Sequence, residues 1–288
     1  MHIHPHDKKD YLALFIANGI TGVRVRWGEP LHHKWREEIS AGELIGPRMV
    51  ISSAVVDGPN ASGNKISVSS EDEGRQVVKQ VKKQGADLVK IDINVPRDAY
   101  FAIADEAKKR GIPFAGHVPF FVSLAEASDA GQQSIEHCAF VLLACSSEGE
   151  EELRKKAKET RDTSEGELEG VRARYKLIAD ITYSEKEAAD VFARFVRNST
   201  WVCPTLTVYN GVLFRSEHGS GNNLRLKYMP PWTRYQVKND VLVAAATEEG
   251  RANLKRFCEK QLAIVGAMRD AGVGPVSYTH LRAHETND

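Results

Sequence analysis

The chain has 288 residues, of which 42% are hydrophobic and 27% charged, so it is long enough to bury a large core. Lysine plus arginine and aspartate plus glutamate both number 39, and this balance gives no indication of a nucleic-acid partner. The longest apolar stretches, LVKIDINV and CAFVLLAC, are too short or too interrupted to cross a membrane. The composition leaves a monomer and a homo-oligomer equally open.

The first 145 residues alternate short apolar runs, rich in β-branched residues, with amphipathic segments. A first strand is expected before residue 7, and the other predicted strands are 20–27, 48–56, 87–93, 112–118, 133–140 and 200–209. The predicted helices are 31–42, 71–85, 97–111, 123–131, two long charged helices within 146–198, and 238–272. Apolar strands that alternate with helices are typical of a parallel sheet covered by helices.

The number of strands favours a closed barrel over an open sheet. Six strands lie between residues 20 and 209, one is expected before residue 7 and one after residue 272, and these make eight. Eight parallel strands are the count of the (β/α)8 TIM barrel, in the α/β class. An open doubly wound sheet is the competing architecture, but the GxGxxG and P-loop patterns are both missing.

Four histidines and a lysine fall where such a barrel places its functional groups, at the carboxyl ends of strands. His2 and His4 are two residues apart, so on a strand both side chains point to the same face. His117 ends IPFAGHV, and His137 ends QSIEHC. Lys90 lies in the apolar run DLVKIDI, where a lysine is costly unless it has a charged or metal partner.

Each of these features has a simpler interpretation when it is taken alone. MHIH is compatible with a flexible terminus, and His117 or His137 with a hydrogen-bonded core histidine. Lys90 is compatible with a buried ion pair, to Asp92 or Glu136. Together they predict a metal site, because neutral imidazole suits zinc, iron, nickel and manganese. The remaining histidines before the tail are predicted to be surface residues, namely His6, His32, His33 and His218.

The four cysteines are predicted to be buried free thiols. Cys138, Cys145, Cys203 and Cys258 form no CxxC pair, and most of them neighbour apolar residues. A zinc knuckle or a disulfide framework is therefore not expected.

Several segments together resemble the amidohydrolase superfamily, in particular its imidazolonepropionase-like and Xaa-Pro dipeptidase-like branch. The segments are HIHPHDKKDYLALFIANGITGVRVRWG, GADLVKIDI, PFAGHVP, SLAEASDAGQQSIEHC and LAIVGAMRDAGV, and they span residues 1–274. The resemblance implies a metal-dependent barrel over this range. It also implies that one or two divalent ions, with zinc the expected metal, are bound by His2, His4, Lys90, His117 and His137, and that Lys90 is carboxylated and bridges the ions.

The same resemblance implies hydrolysis of amide C–N bonds, in cyclic amides or dipeptides, by a metal-held hydroxide. The partner expected from it is a small-molecule substrate, and Tyr209 is a candidate substrate contact, although packing at the rim explains Tyr209 equally well. An isomerase, deaminase or decarboxylase could use the same ligands. A barrel without catalytic activity, acting as a scaffold, is the alternative from another class.

The two ends of the chain depart from the family pattern. A catalytic aspartate is expected on strand eight, but residues 275–288, PVSYTHLRAHETND, have no strand pattern and resemble translated read-through of a sequencing adapter. We therefore expect a non-native tail and an incomplete barrel, with strand one truncated and strand eight and the flanking β-sandwich missing. A fragment of this kind, from a longer reading frame of metagenomic type, is expected to be poorly stable and nearly inactive, with no catalytic residue assignable.

Overall fold

The computed structural model describes residues 2–5, 7–164, 167–218 and 247–274. Eight strands lie in these ranges: β1 His2–Ile3, β2 Gly22–Val25, β3 Arg48–Asp57, β4 Ile66–Ser67, β5 Leu88–Ile91, β6 Phe114–Gly116, β7 Ser134–Glu136 and β8 Trp201–Cys203. The helices of the first half are α1 Tyr11–Ala17, α2 Pro30–Ser40, α3 Glu71–Lys83, α4 Arg97–Arg110 and α5 Leu124–Asp129. Those that follow are α6 Ala139–Ala144, α7 Glu150–Thr163, α8 Glu167–Asp180, α9 Glu185–Asn198, α10 Leu206–His218 and α11 Glu248–Asp270.

The strands form one parallel sheet in the order β1-β2-β3-β5-β6-β7-β8, with the short β4 paired to β3. Side chains at the two ends of this order come close to each other, since the Cys203 Sγ of β8 is 3.8 Å from the His2 Nδ1 of β1. The sheet is therefore a nearly closed barrel with one open seam. This arrangement confirms the predicted incomplete (β/α)8 barrel.

The chain divides into two compact units. Among the described residues, the barrel unit comprises those within 2–136, 192–203 and 272–274, and the helical unit those within 137–191, 204–218 and 247–271. Within the barrel unit β5, β6 and β7 are buried at every position and therefore on both faces. Such burial explains why these strands are nearly continuous apolar runs rather than alternating ones. The prediction that residues 1–274 are one barrel domain stays a prediction.

Local signals place the helices between the strands. The side chain of Ser70 caps α3 by accepting a hydrogen bond from the backbone N–H of Glu73, and the first turn of that helix is acidic. The helix α4 ends at Gly111, whose φ of 60° is the left-handed conformation that glycine adopts most readily. None of the helices in the described ranges is both long enough and apolar enough to cross a bilayer.

Two of the predicted strands are too long. The segment 133–140 contains only β7, because His137 has a φ of 71° and the following apolar residues form α6. The segment 200–209 contains only β8, because Thr205 has a φ of 54° and α10 begins at Leu206. Tyr209 consequently lies in a helix instead of at the end of a strand.

Two side-chain predictions have different outcomes. All four cysteines are buried free thiols, as predicted. The prediction that His32 is a surface residue is wrong, because His32 is fully buried in α2, where its Nδ1 accepts a hydrogen bond from the backbone N–H of Glu29. The expected eighth strand and the whole tail from residue 275 lie outside the described residues.

Candidate metal centre

His2 and His4 meet on one face of β1, as their spacing predicts. Their Nε2 atoms are 2.9 Å apart, and their ring centroids are 4.9 Å apart. The Nδ1 of His2 lies 2.6 Å from Glu136 Oε2. Because an ionised carboxylate can only accept, His2 carries its proton on Nδ1, and its Nε2 lone pair faces His4.

Glu136, the last residue of β7, is the centre of a buried charge cluster. Its Oε1 is 3.0 Å from Arg26 Nη2, and both side chains are fully buried. The hydroxyl of Ser134 donates to the same oxygen at 3.2 Å. Burial raises the pKa of Glu136, but Arg26 and the hydrogen bond from His2 outweigh burial and hold the pKa well below its usual range. Glu136 is therefore a carboxylate at neutral pH.

Lys90 lies in the middle of this cluster on β5 and is 3% exposed. Its backbone N–H donates to Ser53 Oγ at 3.0 Å, in the stretch of β3 where the register with β5 shifts. Burial, together with the Arg26 cation, lowers the pKa of Lys90 to about 8. Burial is the main cause that lowers the pKa of His2 and of His117, and the charge of Lys90 lowers both pKa values further. The lysine therefore lies close to both rings.

His117 directly follows β6, and its backbone N–H donates to Ile91 O at 3.0 Å. Its Nδ1 lies 2.7 Å from Asp92 Oδ1. Burial lowers the pKa of His117 and Lys90 lowers it further, so the ring is neutral at pH 7, with the proton on Nδ1 and the lone pair on Nε2.

Asp92 is itself held by a second contact. The Nζ of Lys65 donates to Asp92 Oδ2 and to Asp57 Oδ2, both at 2.8 Å. Burial raises the pKa of Asp92, but the hydrogen bond from His117, followed by Lys65, holds the pKa far below its usual range. Asp92 is therefore an ionised acceptor fixed on both of its oxygens.

His137 is the first residue of the helical unit. Its Nδ1 lies 2.5 Å from Thr205 Oγ1, and its ring centroid is 6.5 Å from that of Tyr209. The Tyr209 ring also packs edge-on against Tyr175 and Phe257, at 6.2 and 5.0 Å between centroids. Its predicted contact with substrate stays a prediction, as does the place of His137 among the metal ligands.

The sequence did not indicate the part that three residues take in this cluster. Arg26 was not predicted at all, Cys203 was predicted only to be a buried thiol, and Glu136 only to be an ion-pair partner of Lys90. Donor atoms of His2, Glu136 and Cys203 lie within 4.8 Å of one another and could hold a cation. The charged side chains of Arg26 and Lys90 lie near Glu136 and would repel a metal cation bound between these three residues. A charged residue inside an apolar strand was the available signal for Glu136.

Two of the predicted histidines are oriented in a way that is typical of metal ligands. Imidazole rings that bind metals nearly always donate their second nitrogen to a carboxylate, carbonyl or water, which fixes the tautomer. His2 and His117 have this arrangement on one side of the ring, where Nδ1 donates to an ionised carboxylate, and the Nε2 of His2 lies 2.9 Å from the Nε2 of His4. Neutral rings are also the form that a metal requires.

No family model matches the sequence, and no curated protein does. Among solved structures, a bottromycin amidohydrolase superposes with a TM-score of 0.66 at 22% identity, over 95% of this chain and 55% of that one. The two chains share a fold over this range. A Xaa-Pro dipeptidase with bound methionine in its active site gives 0.52 at 17% identity, over 92% of this chain and 56% of that one. The A. niger ochratoxinase superposes with a TM-score of 0.54 at 15% identity, over 93% of this chain and 54% of that one.

Because these identities are low, the likenesses concern the fold alone. The chain spans about half the length of the structures that it matches. Its activity and substrate are therefore matters for a proposal.

Proposed function

We propose that this chain forms part of a metal-dependent hydrolase of amide bonds. The ligands in this proposal are His2, His4, Lys90, His117 and His137. The observation that carries the proposal is the way in which three of the four histidines are held. Side-chain oxygens of Glu136, Asp92 and Thr205 each lie within 2.7 Å of the Nδ1 of a histidine, namely His2, His117 and His137. An acceptor at Nδ1 fixes the tautomer that carries the lone pair on Nε2, and nearly all histidines that bind metals are held in this way.

The residues of the cluster have separable roles around such a metal. A divalent cation, for which we propose zinc, supplies a Lewis acid that polarises a carbonyl group and acidifies a water molecule. Glu136 and Asp92 orient His2 and His117 and keep their protons on Nδ1. Arg26 neutralises Glu136 inside the barrel, so that the carboxylate is not left as an unpaired buried charge.

Lys90 provides the remaining donor through a covalent change that its environment favours. With a pKa of about 8, a useful fraction of the side chain is the neutral amine near pH 7. The amine nitrogen can form a bond to the carbon of CO2 and release one proton, which gives a carbamate anion with two oxygen donors. Carboxylation converts a costly buried cation into an anionic ligand, and we propose that Lys90 acts in this form.

The proposed substrate class is a small molecule with an amide bond, in a cyclic amide or a dipeptide. It is supported by the names of the structures with the same fold, which include an amidohydrolase and a Xaa-Pro dipeptidase. The buried, oriented imidazoles support a polar reaction centre at the carboxyl ends of the strands, where barrel enzymes bind substrate.

Metal binding by the full chain tests the proposal directly. Metal-stripped protein is titrated with Co²⁺, whose visible absorption reports coordination by nitrogen and oxygen, and with Zn²⁺ against a chelating dye. We expect one or two equivalents to bind, and we expect His2→Asn and His117→Asn to remove binding. His33→Asn, which changes a histidine of α2 away from the cluster, is the matched control and should bind as the parent does.

Turnover is measured on the same samples with Xaa-Pro dipeptides, N-acyl amino acids and hydantoin-like rings. Because no catalytic aspartate has been assigned, we expect hydrolysis to be slow and to be abolished by chelator. Failure of the parent chain to bind any divalent metal would refute the proposal, as would hydrolysis that persists undiminished in His117→Asn.

A further inference from the structure

We infer that Thr205 is a positioning residue that holds His137 in the tautomer with the proton on Nδ1. The Thr205 hydroxyl has a single hydrogen, and the carbonyl oxygen of Pro204, 2.8 Å from Oγ1, is placed to accept it. The same oxygen lies 2.5 Å from His137 Nδ1. When the hydrogen is directed to Pro204, Oγ1 acts toward His137 as an acceptor, and Nδ1 carries a proton. The Nε2 of His137 then keeps its lone pair.

The backbone conformation supports a role in positioning. His137 and Thr205 both have positive φ, at 71° and 54°. Histidine tolerates this region better than most residues, whereas for a β-branched residue such as threonine it is a genuine outlier. Strained residues persist where the surrounding structure fixes them, and they concentrate at functional sites. Here the two strained residues are the two partners of one hydrogen bond.

The surroundings keep the hydroxyl in place. Thr205 is 3% exposed, so little water can replace Pro204 or His137 as its partner. The side chain of Tyr209 also hydrogen-bonds to Thr205, one turn further along α10. If the hydroxyl hydrogen turned toward the phenol oxygen instead of Pro204, Oγ1 would still face His137 as an acceptor.

This role is distinct from that of the carboxylates that hold His2 and His117. A carboxylate can only accept, so it imposes the tautomer by itself. A hydroxyl can donate or accept, and it imposes the tautomer only because another acceptor takes its hydrogen. The inference rests on the proposed function only in its second part, that the Nε2 lone pair of His137 is offered to the metal.

The test measures the tautomer of His137 in the metal-free full chain. Histidine side chains are labelled with ¹⁵N and observed by long-range ¹H–¹⁵N correlation at about pH 8, where unperturbed imidazole is neutral. The His137 signal is assigned from its loss in His137→Asn. We expect the Nδ1–H form in the parent chain and in Thr205→Ser, which keeps the hydroxyl, and a shift toward the Nε2–H form in Thr205→Val, which removes it.

Zinc affinity of the same three proteins tests the second part. We expect Thr205→Val to bind zinc roughly 10–100-fold more weakly and Thr205→Ser to bind within a few fold of the parent, as is typical when an outer partner of a ligand is lost or kept. Thermal unfolding of each variant shows whether it is folded. If Thr205→Val does not fold, the parent spectrum alone decides, because an Nε2–H form of His137 there would overturn the inference.

The outcomes separate this inference from the proposed function. A tautomer that is the same in the parent chain and folded Thr205→Val overturns the role of Thr205. A changed tautomer with unchanged zinc affinity overturns the presentation of His137 to the metal. A parent chain that binds no metal refutes the proposed function, while the spectrum still reports whether Thr205 sets the tautomer.

Discussion

The partners of the three oriented histidines differ in charge, and this difference affects the donor strength of each ring. Glu136 and Asp92 are ionised, and a hydrogen bond from Nδ1 to an anion makes Nε2 more basic. Burial acts in the opposite direction and lowers the pKa of His2 and His117. The result is a pair of neutral rings with strongly donating Nε2 atoms. Thr205 carries no charge, so it fixes His137 without this gain in basicity.

Replacing Lys65 should weaken metal binding, although the hydrogen bonds described for its side chain go to Asp57 and Asp92 and not to a proposed metal ligand. Its Nζ joins Asp57 and Asp92, and Asp92 holds His117. In Lys65→Met the carboxylate of Asp92 can rotate, and His117 loses a fixed partner. We expect zinc affinity to fall on the order of tenfold, measured by competition with a chelating dye.

Two controls make the Lys65 experiment specific. Lys65→Arg keeps a cation that can donate to both carboxylates, so it should retain most of the affinity. Lys82→Met removes an exposed lysine of α3 and should have no effect. Equal affinities in Lys65→Met and the parent would show that Asp92 holds His117 without help from the lysine.

The sequence identified some residues of the cluster and missed others for a physical reason. The meeting of His2 with His4 was predictable because strand periodicity determines which side chains of one strand share a face. The partners of these residues are separated by long stretches of chain, as with His2 and Glu136, which are 134 positions apart. Periodicity carries no information about such pairs. The register of the folded sheet determines them.

At the scale of elements, the sequence predicted which strands exist better than where they end. The runs CAFVLLA and TLTVY are apolar enough for a buried strand or a buried helix, and a short run of this kind does not distinguish the two. The positive φ of His137 and of Thr205 ends each strand, and helices follow. Nothing in the residue types signalled these turns, because neither is a glycine.

Gly116 is an element boundary where glycine is required, and its replacement should be costly. It ends β6 with a φ of 139°, and a Cβ added there would lie 2.2 Å from the carbonyl oxygen of Ile91 on β5. Gly116→Ala would force the two strands apart and displace His117, whose backbone donates to the same oxygen. We expect the free energy of unfolding to fall by about 3 kcal/mol, measured by urea denaturation.

Gly131 is the matched control for this experiment. Its φ is also positive, at 88°, but a Cβ there would meet nothing within 4 Å. Gly131→Ala should therefore cost only the backbone strain, about 1 kcal/mol. Similar losses in the two variants would show that the close approach of β5 and β6 is not maintained in solution.

For the molecule as a whole, the barrel interior contains a charge imbalance that folding must overcome. Arg26 and Lys90 are both buried near the carboxylate of Glu136, and Asp92, which also acts on Lys90, is already held by Lys65 and His117. Glu136 offsets one cation, and the other is accommodated through the lowered pKa of Lys90, which makes loss of its proton easier. The stability of the metal-free protein should consequently depend on pH in the range where Lys90 titrates.

Metal-free protein in CO2-depleted buffer should become more stable as the pH rises from about 8 to 9.5. The pKa of Lys90 is about 8 in the folded chain and 10.5 when unperturbed, so between these values the unfolded chain binds a proton that the folded chain does not. Stability then increases with pH, by up to about 1.4 kcal/mol per pH unit. Urea denaturation followed by tryptophan fluorescence measures this change in stability, since Trp27, Trp35 and Trp201 lie in the barrel unit.

Lys90→Met is the control, because it keeps the apolar stem and the pair of Arg26 with Glu136 but removes the titrating group. Its stability should lack this rise. A parallel rise in both proteins would assign the pH dependence to groups other than Lys90, and a fall in the parent alone would mean that the buried lysine is more stable as an ammonium ion than its surroundings imply.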